Sequence, residues 1–300
     1  MGNAIGLIFY LKKNLVEILT EKFKKRGIDT ESIQINRVFS EISDKISGGV
    51  RFKTRNSEVE RIDGALVLDI APLGELSYAF ESRLNFLTSL ESRGVILVNP
   101  TEVIRNCMDK ERTSLIMAKH SIPTPYTFVV EDTKEAVKAA KDLEEIVVKP
   151  LYGSEGRGMV KVKTSSRKLT AVFNNMLRRY GILYVQEFVP NPGRDIRVIC
   201  LGGKVAIAVY RIAKHGEWRS NVYQGGRVER CELTAEVKRL VLRTARAFGD
   251  EFLAIDVLES QNGPVVIEVN CFPRWLYLMD SVGYDLGEDL VDYMSKKVRC

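Results

Sequence analysis

Oxygen-bearing side chains are scarce in short apolar strands, yet two neighbouring runs of this chain carry them: Ala254-Ile255-Asp256-Val257 and V-V-I-E-V-N-C-F-P from Val265 to Pro273. Alternate side chains of a strand share a face, so Glu268 and Asn270 point the same way. The intervening E-S-Q-N-G-P is rich in turn formers and predicts a hairpin that brings Asp256 alongside that pair. Three hard oxygen donors suit Mg²⁺ or Mn²⁺, which take few protein ligands and fill their shells with water and substrate phosphates. Spacing alone is equally compatible with a hairpin whose carboxylates face solvent, so the upstream segments have to decide.

A second constellation lies upstream. The strand pattern Ile146 to Pro150 ends in Lys149 and is followed by Gly153-Ser154-Glu155-Gly156-Arg157-Gly158 and then M-V-K-V. Glycines let backbone N–H groups come close to phosphate oxygens. A flexible hairpin has the same composition, but the lysine before the loop and the strand after it favour a flap over nucleotide phosphates. No G-x-G-x-x-G follows the first strand, and Gly203-Lys204 leads into Val205 rather than a hydroxyl residue, so the Rossmann and P-loop modes are disfavoured.

The elements that must position these groups read as follows. The first third alternates I-G-L-I-F-Y, an amphipathic helix Leu15 to Arg26, S-I-Q-I-N-R-V, A-L-V-L-D-I, a helix Ser82 to Ser92 and G-V-I-L-V-N-P, predicting a small parallel α/β domain over residues 1–97. One helix is expected from Asn99 to about His120, then an extended S-I-P-T-P-Y, a strand and a helix from Thr133 to Leu143. The region from Leu183 onward predicts a mixed sheet with helices against one face, including helices at Ala235 to Ala247 and Leu286 to Lys296. The expected domains are thus 1–97, 98–182 with the glycine-rich loop, and 183–300 with the metal site.

Composition narrows the function classes. Three hundred residues, 45% apolar and 28% charged, describe a globular chain. Five scattered cysteines without a C-x-x-C pair, and only His120 and His215, argue against a zinc site and for a reducing cytoplasm. The apolar Ile5 to Leu11 is too short for a membrane span and reads as a strand. The net charge of +6 is interspersed with acids, and no RNA-recognition signature is present, so nucleic acid is disfavoured against a pocket for ATP and acidic small molecules.

Taken together, M-D-K-E-R-T, V-V-K-P-L-Y-G-S-E-G-R-G, V-Q-E-F-V, G-R-D-I-R-V, Y-R-I-A-K, W-R-S-N-V-Y-Q-G-G, A-I-D-V-L and V-I-E-V-N-C-F-P resemble, in order, the motifs of the ATP-grasp ligases of the RimK type, over Asn99 to the C-terminus. The resemblance implies an ATP-grasp fold of α/β and α+β subdomains behind the small parallel domain, with ATP and two Mg²⁺ (or Mn²⁺) as cofactors. It implies that Lys110 and Lys149 contact phosphates under the loop bearing Gly153, Ser154, Gly156 and Gly158. Gln186, Glu187, Phe188 and Val189 would surround adenine, and Asp195 would take the sugar. Arg219, Ser220 and Asn221 would line the phosphate side, Asp256, Glu268 and Asn270 would hold the ions with Glu268 bridging, and Arg211 would stabilise the transferring phosphoryl group.

The implied reaction joins L-glutamate through its α-amine to a carboxylate-bearing acceptor by way of an acylphosphate. The acceptor is expected to be a coenzyme such as tetrahydromethanopterin or a glutamyl deazaflavin, and the protein a cytoplasmic homo-oligomer. A ribosomal-protein or carrier-protein acceptor is the alternative within the class, and a non-catalytic ATP-binding module the alternative outside it. The chain departs from the ribosomal-protein pattern in V-P-N-P-G-R-D, a residue shorter, and at Arg274, where that pattern has glycine. Arg194, Arg197 and Arg274 are therefore candidates for a cationic surface facing a polyanionic acceptor, or else ordinary solvated arginines.

Overall fold

The computed structural model describes residues 4–54, 59, 62–71, 78–153, 156–220 and 225–299. The chain divides into two compact units, Met1–Ile104 with Arg274–Cys300, and Arg105–Pro273.

The first unit is built on a parallel sheet. Strand β1 (Ala4–Phe9) leads to α1 (Lys13–Lys25) and β2 (Asp29–Gln34); the antiparallel pair β3 (Phe39–Ile42) and β4 (Val50–Lys53) follows, then β5 (Gly64–Val67), α2 (Tyr78–Ser92) and β6 (Ile96–Val98). The sheet order is β2-β1-β5-β6, all parallel. Helix α1 forms because Leu15, Val16, Leu19 and Phe23 recur on one face, all buried. S-I-Q-I-N-R-V is not one strand: β2 stops at Gln34 and Ile35–Arg37 form a 3₁₀ turn.

Helix α3 (Thr101–Met108) is separate from α4 (Lys110–Lys119), where a single helix was expected. Asp109 breaks them: its backbone is extended and its carboxylate accepts from the N–H groups of Glu111 (2.8 Å) and Arg112 (3.1 Å), an N-cap. Next come β7 (Thr127–Val130), α5 (Thr133–Ala139), β8 (Glu145–Lys149), β9 (Val160–Lys163), α6 (Leu169–Tyr180) and β10 (Leu183–Glu187), giving an antiparallel sheet β7-β10-β8-β9. Ile146, Val148, Leu183 and Val185 pack with Ala136 of α5 and Phe173 of α6. Strand alternation therefore turns Val147, Lys149, Tyr184 and Gln186 to the opposite face.

The remaining sheet has the order β13-β12-β11-β14-β15, from β11 (Arg194–Leu201), β12 (Lys204–Ile212), β13 (Arg227–Arg230), β14 (Leu253–Ser260) and β15 (Gly263–Asn270), with α7 (Ala235–Ala247) against β14, β11 and β15. Every pair is antiparallel, which corrects the expectation of a mixed sheet. The reason is local: Gly202 and Gly203, at φ +57° and +72°, form a two-residue turn that only a hairpin uses, and Gln261-Asn262 turns β14 into β15.

Beyond Pro273 the chain forms α8 (Tyr277–Val282) and α9 (Leu286–Arg299). Leu286, Leu290, Val291 and Met294 of α9 are buried, and α9 lies against α1, β5 and β6 of the first unit. Among the described residues no helix is long and apolar enough to cross a membrane.

Candidate active site

The helix-free face of the sheet β7-β10-β8-β9 forms one wall of a cleft in the second unit. Lys149, at the end of β8, is buried, and its Nζ donates to Gln186 Oε1 at 2.5 Å. The Gln186 amide is in turn fixed by donation from Nε2 to Thr127 Oγ1 (3.0 Å) and the Tyr184 hydroxyl (3.4 Å), and Ser114 Oγ meets that hydroxyl at 2.8 Å. Lys110, on the first turn of α4, donates to Gly153 O at 2.8 Å. Its approach is set by Asp109, whose other oxygen accepts from the Tyr152 hydroxyl at 2.7 Å.

Burial pushes the Lys149 ammonium down to about 8 against the upward pull of Glu268, and nearby Lys110 adds to the lowering. Burial lowers Lys110 as well, opposed by Glu268 and Asp109. Two cations brought together out of water are the arrangement a polyanion would stabilise.

The second wall follows from strand register. Asp195 on β11 lies opposite Arg211 on β12, Arg197 opposite Asp256 on β14, and Asp256 opposite Glu268 on β15. Arg211 grips Asp195 with both Nε (2.7 Å) and Nη2 (2.6 Å), and the same Nη2 reaches Asp256 Oδ2 at 2.6 Å. Arg197 holds Asp256 by a second two-pronged contact at 2.8 and 2.7 Å. Burial by itself would raise the Asp256 pKa, but the guanidinium groups of Arg197 and Arg211 outweigh it and hold the carboxyl below the ordinary range. A bulge leaves Ile267 without a partner on β14, so Ile267 and Glu268 both line the cleft.

About 900 Å³ of empty space lies between the walls, the open mouth included, a size suited to a nucleotide. Val147, Met159, Phe188, Trp218, Leu258 and Ile267 supply an apolar lining, with Phe188 and Trp218 edge to face at 6.1 Å. The glycine-rich loop enters this space through backbone only glycine takes easily. Gly156 and Gly158 sit at φ +68° and +72°, and a Cβ on Gly158 would stand 2.8 Å from the Tyr180 hydroxyl. Arg219, clamped by Glu217, donates to Gly156 O at 3.1 Å, and Ser220 Oγ donates to Asp195 Oδ2 at 2.5 Å.

Thus Lys110, Lys149, Gly153, Gly156, Gln186, Glu187, Phe188, Val189, Asp195, Arg211, Arg219, Ser220, Asp256 and Glu268 all line one cleft. Gly158 and Asn270 are outside its lining, and Ser154 and Asn221 lie outside the described residues. The three arginines considered for an acceptor surface stand in different settings. Arg197 is buried on Asp256, and Arg194, one residue from Asp195, takes the other face of β11, where it pairs with Glu259 at 2.8 Å and covers the Tyr210 ring at 4.0 Å. Arg274 belongs to the other unit. Trp218, Met159, Leu258 and Ile267 were missed; Trp218 adjoins the R-S-N motif, whereas Ile267 reaches the cleft only through the bulge.

The oxygen donors fit a hard divalent cation. Among the described residues no cluster of three or more His, Cys, Asp or Glu side chains could hold a metal, so Asp256 and Glu268 need the Asn270 amide, two positions along β15, to complete a set. Asp256 Oδ1 accepts one bond and Oδ2 two, which leaves Oδ1 an acceptor position for a cation.

A model of the RimK-like ATP-grasp domain matches residues 107–294. The chain is 36% identical over 293 residues to the tetrahydromethanopterin:α-L-glutamate ligase of Methanococcus maripaludis, covering 96% of each. It is 31% identical over 273 residues to the ligase of the same name from Methanosarcina acetivorans, covering 81% of this chain and 83% of that one. Among solved structures, the ATP-grasp ligase PsnB, complexed with a phosphomimetic variant of its minimal precursor, Mg and ADP, superposes with a TM-score of 0.77 at 15% identity over 99% of both chains. A RimK domain ATP-grasp protein of Sphaerobacter thermophilus gives 0.69 at 20% identity, over 97% of this chain and 98% of that one. At those identities the structures speak for the fold, and the family match and the first relative, which spans nearly the whole chain, speak for descent: the chain belongs to the RimK-like ATP-grasp family.

Proposed function

We propose that the protein is an ADP-forming ligase that joins L-glutamate to the carboxylate of a coenzyme, with tetrahydromethanopterin as the first candidate acceptor. The observation that carries this reading is the cleft itself, where buried Lys149 and half-buried Lys110 face Arg211 and the Asp256–Glu268 pair across a space of nucleotide size. The identity to two tetrahydromethanopterin:α-L-glutamate ligases supports the acceptor.

In this reading the acceptor carboxylate attacks the γ-phosphorus of ATP, and the glutamate α-amine then displaces phosphate from the acylphosphate. The chain's part is positioning and charge neutralisation, so no histidine is required. Lys149 and Lys110 exchange their internal oxygen partners for phosphate oxygens, and Arg219 does the same as the loop from Gly153 to Gly158 closes. Asn221 and Ser154 are assigned to the phosphates by the family resemblance of their motifs. Arg211, anchored through Nε and Nη2 on Asp195 and Asp256, presents its positive charge to the phosphoryl oxygens. Asp195 Oδ1, which accepts a single bond, takes a sugar hydroxyl, and the segment Gln186 to Val189 closes around the base. Asp256, Glu268 and Asn270 would hold Mg²⁺ or Mn²⁺, two ions with Glu268 shared, which when bound neutralise charge on the transferring group. The scattered cysteines fit a reducing cytoplasm, where we place the protein.

The test is ADP release from Mg²⁺-ATP and L-glutamate with tetrahydromethanopterin, glutamyl deazaflavin, ribosomal-protein and carrier-protein acceptors in parallel, and product mass read for each. Acceptor-dependent ADP with a mass gain of one glutamate on tetrahydromethanopterin is expected. Gain on a protein acceptor alone would replace the coenzyme reading, and nucleotide binding without turnover on any acceptor would favour a non-catalytic module.

A further inference from the structure

The side chain of Gln186 is engaged in a way that a place beside the nucleobase does not explain. Strand register sets Lys149 of β8 directly opposite Tyr184 of β10 and diagonal to Gln186, and all three are buried. The direction of every hydrogen bond in this cluster is determined. Ser114 Oγ has one proton and donates it to Lys110 O at 2.9 Å, so the Tyr184 hydroxyl is the donor in its 2.8 Å contact with Ser114. Thr127 Oγ1 likewise gives its proton to Pro125 O at 2.9 Å. Both hydroxyl oxygens are left as acceptors, and Gln186 Nε2 donates one hydrogen to each, at 3.4 Å to Tyr184 and 3.0 Å to Thr127. With both hydrogens committed the amide cannot turn over, and its carbonyl oxygen is what meets Lys149 Nζ at 2.5 Å.

A neutral acceptor fixes an ammonium without cancelling its charge. Among the described residues no carboxylate is ion-paired with Lys149. Glu268 and Asp256 are the carboxylates whose charge reaches it, and Asp256 is already held by two arginines. Gln186→Glu would place a full negative charge against Lys149 in the same shape. A phosphate oxygen would then have to displace an ion-pair partner in place of a dipole.

We propose that Gln186 is a positioning residue for Lys149, locked with its carbonyl toward the cleft by Thr127 and Tyr184, so that the ammonium stays aimed and un-neutralised until a phosphate oxygen takes it. The inference rests on the nucleotide part of the proposed function, and it assigns the Gln186 side chain to the phosphates rather than to the base. It is tested by calorimetric titration with Mg²⁺-ADP and by ligand-observed NMR with adenosine, which carries base and sugar alone. Gln186→Glu, the nearest isostere, raises the ADP dissociation constant about tenfold or more, the scale of one competing charge-assisted bond. Gln186→Met, which keeps the length and has no acceptor, raises it less, by about threefold, and adenosine binding stays within about twofold in both variants. A side chain that only packs would give the opposite ranking, with Met worse than Glu, and a base contact would weaken adenosine as much as ADP; either result would overturn the inference. If circular dichroism shows that Gln186→Glu does not fold, Thr127→Val combined with Tyr184→Phe removes both acceptors of the amide and frees it to turn its N–H groups toward Lys149. That variant is expected to weaken ADP about tenfold with adenosine unchanged, and parent-like ADP affinity in it would overturn the positioning role. A parent that binds neither ADP nor adenosine would overturn the nucleotide reading and this inference with it.

Discussion

Lys149 and Glu268 are the two side chains on which the proposed chemistry depends most directly. Lys149 titrates at about 8 rather than the ordinary 10.5, so its charged fraction falls between pH 7 and 9. Bound phosphates favour the ammonium, so above pH 8 nucleotide binding takes up a proton and weakens as pH rises, by up to about tenfold per pH unit for this one group. Calorimetric titration with ADP at pH 7, 8 and 9 will show that slope, and Lys149→Met will flatten it. A dissociation constant independent of pH in the parent would detach Lys149 from the phosphates. Glu268→Gln removes the charge that faces Asp256 across the hairpin without changing shape. The expected loss in ADP formation is about 10²- to 10³-fold or greater, the scale for a missing electrostatic contact, with an unchanged circular-dichroism spectrum. Full activity in that variant would remove Glu268 from the metal assignment.

Helix α4 and the glycine-rich loop hold those groups in place through a few local bonds. Asp109 caps α4 and also receives the Tyr152 hydroxyl next to the loop, so Asp109→Ala should cost about 1 kcal/mol of stability. It should also raise the ATP KM through Lys110, whereas Asp109→Asn, which can still cap, should restore most of the stability in urea denaturation. Gly158→Ala places a Cβ against the Tyr180 hydroxyl in left-handed backbone worth about 1–2 kcal/mol of strain. A several-fold rise in ATP KM with little change in melting temperature is the expected result, since the strain can be relieved by moving the loop. An unaltered KM would mean that the loop does not close on nucleotide.

The chain as a whole returns to its beginning, since Arg274–Cys300 group with Met1–Ile104. Charge contributes only part of that closure. Lys22 and Arg26 of α1 draw Glu288 of α9 down to about 2. The contribution is complete above the ordinary 4.5, is lost as pH falls toward 2, and is small because the carboxylate is about half exposed. The apolar face does more: Met294 is fully buried, with its methyl against the backbone of Gly64 on β5. Met294→Ala should destabilise the first unit by about 2–5 kcal/mol, read by denaturant titration, while the ADP dissociation constant, which reports on the second unit, moves far less. Equal damage to both would show that the units unfold together.

What could be read before any coordinates was what short-range physics controls. Period-two alternation put Glu268 and Asn270 on one face, and the turn formers after Glu259 marked the hairpin that brings that strand back beside Asp256; it is the bulge that sets Glu268, rather than Ile267, opposite Asp256. The strand and helix rhythm of the first third likewise marked a parallel sheet, because alternation of elements is written in local pattern. Partners at a distance were not readable. The apolar periodicity around M-D-K-E-R-T runs through Asp109, so the break between α3 and α4 shows only once the carboxylate is seen capping Glu111 and Arg112. Parity separates Arg194 from Arg197, but that Arg197 meets Asp256 is decided by the β11–β14 pairing across fifty-nine positions. The bulge that turns Ile267 into the cleft, and the docking of α9 on β5, depend equally on surfaces far along the chain. An amphipathic pattern names the face to be buried, and only packing names what buries it.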